Sequence, residues 1–560
     1  MISRRSAAFF GVCVGLLAAL CFSGCNLDGV TINYFESVGS DNVPDFPDGG
    51  DGGNDDGGND DGGGNDGGGG DSTDNRFAGT WIASYGDDLP EGSGQRQYAA
   101  RMTLQQSDAV ITGTGQMHRF FNTGSAASDG TAFAVNITGS ASQDDATLTF
   151  AAAAGKFLNP PQLTVRLTGN RLDGVFVERS ANLVVDRYGH MTWRRVSGTD
   201  IDGPWVAAFH DDVVPAGAFP ARDRTASMTL ASADSAITGI AEYVEQQPGD
   251  IPETVTFTTA AGTLQNSQLK LTLTPADPAD GVVDWFGFHL GNYFVGAYGQ
   301  FNGTDLARFG HATWYQSPAS PQPSSFQKTW VSSFRDTAAT GSLKPADYLL
   351  VTNGLTDDGN TVTGSVSLLD ESEVSPAFQS YTIQNGVVTG SKMTFDMVRS
   401  GFRFSWTLQL ASSMLVGSYQ QFNSVDQFLS RGVATWRSGS SSYTGLTGIW
   451  ASSFFDTYTS SAEENRASQL AVVSITNISS EGAITGTGFL KLANESNRRQ
   501  FVVSGTVATD PIRIDWSGGG LFGATSWHVR RVGSALCGTY TNFASDNQTI
   551  EFQGSATFVK

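Results

Sequence analysis

An aspartate recurs at one fixed position in four parts of the chain, always six residues after a tryptophan. The tryptophans are Trp81, Trp205, Trp330 and Trp450, and the aspartates are Asp87, Asp211, Asp336 and Asp456. Residues separated by an even number lie on one face of a regular strand. A carboxylate at the end of such a face could line a pocket rim and accept a hydrogen bond from a polar ligand. It could instead cap the turn that ends the strand, which is a common use of this side chain, and the sequence leaves both interpretations open.

The six histidines form no pattern that predicts catalysis or metal binding. None stands in a His-Glu-x-x-His spacing. His190 and His311 occupy equivalent places, but Val433 and Ser555 replace them in two other parts of the chain. The sequence also lacks a nucleophile elbow and a phosphate-binding loop. We therefore expect no catalytic residue, no metal site and no cofactor, and we predict that the protein is not an enzyme.

The cysteines exclude a disulfide-based fold. Cys13, Cys21 and Cys25 lie near the amino terminus, which leaves Cys537 as the one thiol of the remaining chain. A single thiol cannot form an internal disulfide framework. Cys537 stands in an apolar strand pattern, where we expect it to be a small buried residue.

The composition predicts several domains rich in β-strands. A chain of 560 residues is too long for one hydrophobic core, and 39% of its residues are hydrophobic. Glycine is abundant at 67 residues, while charged residues make up only 16%. This mixture favours short strands and turns over helices. The formal net charge of -22 excludes a nucleic-acid partner on electrostatic grounds.

The four tryptophans open four copies of one repeat. Each copy continues with an Ile/Val-Thr-Gly segment, then with a glycine followed two residues on by an aromatic residue, and closes with Thr-Trp or, in the last copy, Thr-Phe. Four markers in the same order indicate tandem repeats of about 120 residues. We place the repeats at residues 77–198, 199–320, 321–442 and 443–560.

Within each repeat the hydrophobic pattern has a period of two, which is typical of strands. The first repeat contains eight candidate strands, at about residues 80–87, 98–106, 109–117, 132–139, 146–153, 162–169, 171–179 and 188–195. Eight consecutive strands joined by short turns predict an up-and-down antiparallel barrel. The alternative is a β-propeller, in which each repeat would form two four-stranded blades.

The Gly-x-Trp at the start of the repeat, as in Gly79-Thr80-Trp81, resembles the calycin superfamily of lipocalins and avidins. This resemblance implies an eight-stranded barrel that either holds one small ligand or is filled by its own side chains. The framework aromatics would then be Trp81, Trp205, Trp330 and Trp450, each closing one barrel end, with the aspartates near the opposite rim.

Residues 1–25 have the parts of an export signal, with Arg4-Arg5 followed by an apolar run from Ala7 to Phe22. The segment Phe22-Ser23-Gly24-Cys25 resembles the lipobox of bacterial lipoproteins, which implies cleavage before Cys25 and a lipid on its sulfur. Asn26 follows the cysteine, and by this resemblance sorting to the outer membrane or cell surface is expected. Residues 26–76 contain a run of Gly, Asp and Asn that cannot bury apolar surface, so we predict a disordered tether.

These observations predict a membrane-anchored, exported binding or interaction module. Its partner would be a small apolar ligand or a component of the envelope or of the extracellular space. The alternative is a structural or adhesive surface protein without a small-molecule ligand. Unfilled barrel interiors would favour the first function, and fully packed interiors the second.

Overall fold

The computed structural model describes the chain from residue 75 onward, with short gaps. The described ranges are 75–89, 95–121, 129–195, 198, 200–211, 221–247, 252–321, 325–340, 345–372, 376–439, 445–456, 458–459, 467–518, 523–544 and 549–560. The predicted signal, Cys25 and the tether to residue 74 lie outside the described residues. All described residues belong to one compact unit.

The first half of the described chain forms sixteen strands and one short 3-10 helix. The first repeat contains β1 (Gly79–Gly86), β2 (Arg96–Ser107), β3 (Val110–Phe121), β4 (Asp129–Ser142), β5 (Asp145–Ala152), β6 (Gln162–Thr168), β7 (Arg171–Arg179) and β8 (Val185–Arg195). The second contains β9 (Gly203–His210), β10 (Asp223–Ala233), β11 (Ala236–Gln246), β12 (Glu253–Gln265), β13 (Gln268–Pro275), the 3-10 helix Pro278–Asp280, β14 (Val282–Leu290), β15 (Tyr293–Asn302) and β16 (Asp305–Gln316).

The second half repeats this plan. The third repeat contains β17 (Trp330–Ala339), β18 (Asp347–Asp357), β19 (Val362–Asp370), β20 (Gln379–Thr389), β21 (Lys392–Arg399), β22 (Phe402–Ala411), β23 (Met414–Asn423) and β24 (Phe428–Ser438). The fourth contains β25 (Gly448–Phe455), β26 (Tyr458–Thr459), β27 (Ser468–Ile478), β28 (Ala483–Leu492), β29 (Arg498–Thr506), β30 (Ile512–Ser517), β31 (Thr525–Val532), β32 (Ala535–Phe543) and β33 (Ile550–Val559).

Each repeat closes into an antiparallel barrel in which consecutive strands pair and the last strand returns to the first. In the fourth barrel the first strand, β25, pairs with the last strand, β33, which closes the barrel. The short β26 also pairs with β33. The predicted all-β class and the four eight-stranded up-and-down barrels are confirmed, and the propeller alternative is not needed. All eight strands predicted for the first repeat are present with small shifts at their ends.

Alternating residues of each strand build the four barrel cores. In β1, Trp81, Ala83 and Tyr85 point inward and are buried. The indole Nε1 of Trp81 donates a hydrogen bond of 3.0 Å to the carbonyl oxygen of Phe77, four residues earlier. The same bond joins Trp205 to Ile201, Trp330 to Phe326 and Trp450 to Leu446. The residue four positions before each tryptophan is therefore held against the indole ring at that end of the barrel, where both residues are buried.

The four barrels are packed in a ring. The first strands of each barrel contact the last strands of the next barrel, and those of the fourth contact the first. Hydrogen bonds join each barrel to the next, for example Ser84–Thr313, Thr225–Ser418, Ser333–Ala556 and Ser453–Met191. The outward faces of these strands are consequently buried too, as at Ile82, Val206, Val331 and Ala451. Within the described part of the chain, no helical segment has the length and hydropathy needed to cross a bilayer.

Candidate functional site

The four repeated aspartates lie at the open ends of the barrels, opposite the buried tryptophans, and all four are nearly inaccessible to solvent. Three of them directly follow the first strand, and Asp336 lies within β17. Each side chain accepts a hydrogen bond from the backbone N–H of a residue that leads into the second strand. These donors are Arg96 for Asp87 (2.9 Å), Arg222 for Asp211 (2.8 Å), Ala346 for Asp336 (2.9 Å) and Ala467 for Asp456 (3.1 Å). The carboxylates thus hold the connection between the first two strands in place.

A tyrosine on the seventh strand donates to the same carboxylate in three barrels. Tyr298 donates to Asp211 at 2.6 Å, Tyr419 donates to Asp336 at 2.8 Å, and Tyr540 donates to Asp456. In the first barrel Phe176 stands at this position of the repeat and cannot donate. There Arg187 of β8 donates to Asp87 at 2.6 Å instead.

A glycine on the last strand makes room for this tyrosine. A Cβ atom on Gly432 would lie 2.7 Å from Tyr419 Oη, and one on Gly554 would lie 2.5 Å from Tyr540 Cε1. Real Cβ atoms do not approach this closely, so any larger residue would displace the ring. The tyrosine can therefore lean across the barrel toward the aspartate only because the neighbouring strand carries glycine.

One position of the second strand decides how each barrel mouth is filled. The residue at this position pairs across the sheet with an aromatic residue of the first strand. That aromatic residue stands two positions before the repeated aspartate. The occupants are Tyr98 in the first barrel, Arg224 in the second, Tyr348 in the third and Gln469 in the fourth. We call this the plug position. Tyrosine and arginine are long enough to cross the mouth, whereas glutamine is shorter.

In the first barrel the plug is aromatic. Tyr98 stacks on Tyr85 with 5.0 Å between ring centroids and meets Phe176 edge-on at 6.2 Å. A space of only about 10 Å³ is left beside these rings. That is too small for any organic ligand.

In the second barrel the plug is a buried ionic network. Arg224 donates to Glu245 at 2.8 Å, to Asp211 at 2.6 Å and to Gln300 at 2.7 Å. Arg224, Asp211 and Glu245 are all 0–1% exposed. Two carboxylates and one amide satisfy this guanidinium, as a charge removed from water requires.

In the third barrel the plug Tyr348 packs against Phe334 and Phe404, at centroid distances of 5.2 and 5.7 Å. Its hydroxyl group donates to Asp336 at 3.3 Å. Burial raises the pKa of Asp336 to about 7, although hydrogen bonds from Ala346 and Tyr419 favour the charged form. Burial also raises the pKa of Asp87 in the first barrel, but only to about 6, because Arg187 opposes the effect.

In the fourth barrel the shorter Gln469 leaves a pocket of about 210 Å³ at the mouth. Its floor and walls are mainly apolar, formed by Phe454, Leu490, Leu492, Trp516, Trp527, Tyr540 and Phe552. Trp516 stacks on Phe501 at 4.4 Å and contacts Trp527 at 5.0 Å, so the floor is held rigidly. Gln469 donates to Asp456 at 2.6 Å, which turns its side chain toward the wall.

The rim of this pocket is polar and carries more acidic than basic groups. Asp456, Glu495 and Glu551 line it together with Arg499. Arg499 Nε donates to Glu495 at 2.9 Å, so this pair is neutral overall and the formal excess is negative. A cavity of roughly 150 Å³ accommodates a benzene ring. The fourth pocket can thus hold one ring-sized apolar group and present carboxylates to a polar or cationic substituent.

The structure brings each predicted aspartate to a barrel mouth. Asp456 lines the pocket of the fourth barrel, and Asp87 lines a cavity between the barrels. Whether the aspartates bind a ligand stays a prediction. Sequence reasoning missed the plug position and the floor residue Trp516. A signal was present, because the second or third residue of the second strand is Tyr or Arg in three repeats and Gln469 in the fourth. In the described ranges no cluster of three His, Cys, Asp or Glu side chains is arranged for a metal ion.

Comparison with known proteins shows structural similarity only. No protein-family model matches the chain, and no curated protein sequence does. A solved protein of unknown function from the DUF3598 family of Nostoc punctiforme is 10% identical, with a TM-score of 0.17, over 42% of this chain and 96% of that chain. A transferrin binding protein B from Haemophilus parasuis is 11% identical, with a TM-score of 0.17, over 70% and 82%.

Kievitone hydratase from Nectria haematococca is 13% identical, with a TM-score of 0.20, over 43% of this chain and 91% of that chain. These identities and TM-scores are too low to bear on ligand or activity. The functional argument therefore depends on the geometry of this chain alone.

Proposed function

We propose that the chain is an exported, lipid-anchored binding protein whose fourth barrel holds one small amphipathic molecule. The observation that supports this is the difference between the barrel mouths. Large or ionic side chains occupy the plug position in three barrels, whereas Gln469 leaves a pocket of about 210 Å³ in the fourth. The first three barrels would then serve as the rigid frame, and no catalytic role is assigned to any residue.

The lining of the pocket defines the ligand class. The aromatic floor of Trp516, Trp527 and Tyr540 suits a single planar or aliphatic ring. The acidic excess at the rim disfavours anions and favours a hydroxyl or ammonium substituent. We therefore propose a ring-bearing amine or alcohol of about the size of phenethylamine.

Binding can be tested by titrating the full chain, carrying Cys25→Ser to remove the lipid and solubilised in a mild detergent, with phenethylamine and with phenylacetate. The two probes share the ring and differ in the sign of their charge. We expect the amine to quench the fluorescence of Trp516 and Trp527 saturably and phenylacetate to bind more weakly. Equal binding of both probes would contradict the role of the rim, and no binding of either would contradict the pocket.

The substitution Gln469→Tyr tests the location, because it places in the fourth barrel the plug found at Tyr98 and Tyr348. We expect this variant to fold and to lose amine binding. The matched control is Gln105→Tyr, which adds the same side chain at an exposed position of β2. Amine binding that survives Gln469→Tyr would place the site elsewhere.

The lipid anchor on Cys25 and location at the outer membrane or cell surface are part of the same proposal. They are supported by the lipobox-like residues 22–25 and by the predicted tether of residues 26–76. Labelled palmitate should be incorporated into the full chain and not into Cys25→Ser, and the parent should fractionate with membranes. A parent that is recovered unlabelled in the soluble fraction would exclude the anchor.

The alternative is a structural or adhesive surface protein without a small ligand, and the packed interiors of the first three barrels favour it. Under this alternative the pocket of the fourth barrel would be incidental. Native mass spectrometry of the secreted Cys25→Ser chain distinguishes the two. An added mass that is lost after Gln469→Tyr supports the binding function, and a bare mass together with no response to the amine supports the structural role.

A further inference from the structure

A second and larger cavity of about 820 Å³ lies where the four barrels meet. Every barrel contributes its first and last strands to the lining. The register of these strands brings equivalent positions to one level: Ile82 pairs with Arg194, Val206 with Tyr315, Val331 with Arg437 and Ala451 with Val559. The cavity is therefore lined by successive positions along these strands, and all four barrels contribute side chains to it.

One level of the cavity is lined almost wholly by hydroxyl groups. Each first strand contributes the residue three positions after its tryptophan. Each last strand contributes the threonine of its Thr-Trp pair, or of Thr557-Phe558 in the fourth barrel. These residues are Ser84, Ala208, Ser333, Ser453, Thr192, Thr313, Thr435 and Thr557. Seven of the eight carry a hydroxyl group, and the exception is Ala208.

The hydroxyl protons at this level are partly used within the protein. Ser333 donates to the carbonyl oxygen of Ala556 at 2.8 Å, and Ser453 donates to that of Met191 at 2.9 Å. A hydroxyl that donates its proton keeps lone pairs that can accept. This level is thus prepared to accept hydrogen bonds from the hydroxyl groups of a ligand.

The adjoining level is basic. Arg194 of the first barrel and Arg437 of the third line it, and Arg171 also lines the cavity. Arg171 pairs with the buried Asp173 at 2.6 Å, and Arg194 lies over Tyr293 at 5.0 Å. The backbone of Arg437 pairs with Val331 and Met414 in the sheet, but its side chain has no hydrogen-bond or ion-pair partner among the described residues. Burial lowers the pKa of Arg437; Cys537 and Tyr315 oppose this shift, and the positive charges of Arg171 and Arg194 add to it. All three arginines line the same cavity.

The cavity as a whole has the opposite charge to the protein. Its charged lining consists of Arg171, Arg194, Arg335, Arg437, Asp87 and Asp88, in a chain with a formal net charge of -22. The two carboxylates already have partners: Arg187 donates to Asp87 and His190 donates to Asp88. Arg171 is paired with Asp173, so the excess positive charge of the lining comes from Arg194, Arg335 and Arg437. Positive charges gathered in a partly enclosed space attract anions strongly, because the field is poorly screened there.

We propose that the central cavity binds a small polyhydroxylated anion, such as a sugar bearing a phosphate or carboxylate group. Arg437, with Arg171 and Arg194, would bind the anionic group through charge-assisted hydrogen bonds. The serine and threonine level would accept hydrogen bonds from the sugar hydroxyls. This site is separate from the pocket of the fourth barrel and does not depend on it.

The proposal is tested by calorimetric titration of the full Cys25→Ser chain with glucose 6-phosphate, glucose and inorganic phosphate. We expect glucose 6-phosphate to bind more tightly than phosphate and glucose not to bind. Equal affinities for phosphate and glucose 6-phosphate would overturn the role of the hydroxyl level. Binding of glucose as tightly as its phosphate would overturn the role of the arginines, and no binding of any probe at millimolar concentration would overturn the site.

The location is tested with Arg437→Gln. A hydrogen bond to a charged group contributes about 1.5–3 kcal/mol, so the affinity for glucose 6-phosphate should fall roughly ten- to hundredfold. Because the substitution relieves repulsion among three arginines, the melting temperature of the free protein should stay the same or rise, which excludes misfolding as the cause. The matched control is Arg513→Gln, an exposed arginine on β30 whose side chain is 56% exposed.

An unchanged affinity in Arg437→Gln would overturn the proposal. Gln469→Tyr should leave glucose 6-phosphate binding intact, which separates this site from the one in the fourth barrel.

Discussion

The carboxyl group of Asp336 should make the third barrel less stable as the pH rises. Burial raises its pKa from the ordinary 3.8 to about 7. Such an acid binds its proton more tightly in the folded state than in the unfolded state, so its stabilising effect is complete below about pH 4 and is lost as the pH rises to about 7. At about 1.4 kcal/mol for each tenfold change in proton affinity, the loss amounts to about 4 kcal/mol.

The substitution Asp336→Asn removes this titration and keeps an acceptor at the same place. In the parent, Ala346 N donates to one carboxylate oxygen at 2.9 Å and Tyr419 Oη donates to the other at 2.8 Å. The amide oxygen can keep the bond from Ala346, and the amide NH2 can donate to the Tyr419 hydroxyl group, which then acts as the acceptor. The free energy of unfolding of the variant minus that of the parent should therefore rise by up to about 4 kcal/mol between about pH 4.5 and pH 8. Urea unfolding followed by tryptophan fluorescence measures this difference, since Trp406 and Trp436 lie in the same core.

The control for this experiment is Asp305→Asn, an exposed aspartate on β16. The free energy of unfolding of this control minus that of the parent should not change over the same pH range. A difference for Asp336→Asn that is independent of pH, or that falls as the pH rises, would refute the reasoning, since either result requires a carboxyl group that is ionised throughout.

Three further predictions concern the packing of the barrels. Gly432→Ala should lower the free energy of unfolding by about 1–3 kcal/mol, because the new Cβ would lie 2.7 Å from Tyr419 Oη, and unchanged urea unfolding would contradict this packing. Asp211→Ala should lower the free energy of unfolding, measured in urea, by about 3–5 kcal/mol, because it removes one of the two carboxylates that pair with the buried Arg224. A decrease below about 1 kcal/mol would mean that the other carboxylate, Glu245, suffices. Glu371→Ala should speed hydrogen exchange in β31 and β32. The buried carboxylate of Glu371 accepts hydrogen bonds of 2.8 Å from the hydroxyl groups of Thr539 and Thr541 in the neighbouring barrel. An unchanged exchange rate would argue against a role of Glu371 at this interface.

The barrels could be predicted from the sequence because their determinants are local. A period of two, short turns and four ordered markers specify which residues face inward, and no long-range information is needed to count eight strands. Even the buried Trp81 and its opposite aspartate Asp87 follow from alternation along one strand. The hydrogen-bond partners of Asp87 do not, because Arg187 lies 100 residues further along the chain.

The ring and both cavities could not be predicted in this way. The pocket of the fourth barrel depends on the length of one side chain, Gln469, compared with its counterparts at the same register. The central cavity depends on the outward faces of the strands, whose serines and threonines look like ordinary solvent-facing positions in sequence. Their burial follows only from which barrel packs on which.

The closure of the ring also bears on how binding sites arise. Four identical subunits around a rotation axis must present four identical side chains at every level of the axis. Here the corresponding positions hold Arg194, Tyr315, Arg437 and Val559, because the four units are covalently joined and each has its own sequence. Fusion of the subunits into one chain thus frees the axis from symmetry, and allows a single asymmetric ligand to be bound where a homotetramer could offer only a fourfold-symmetric ring.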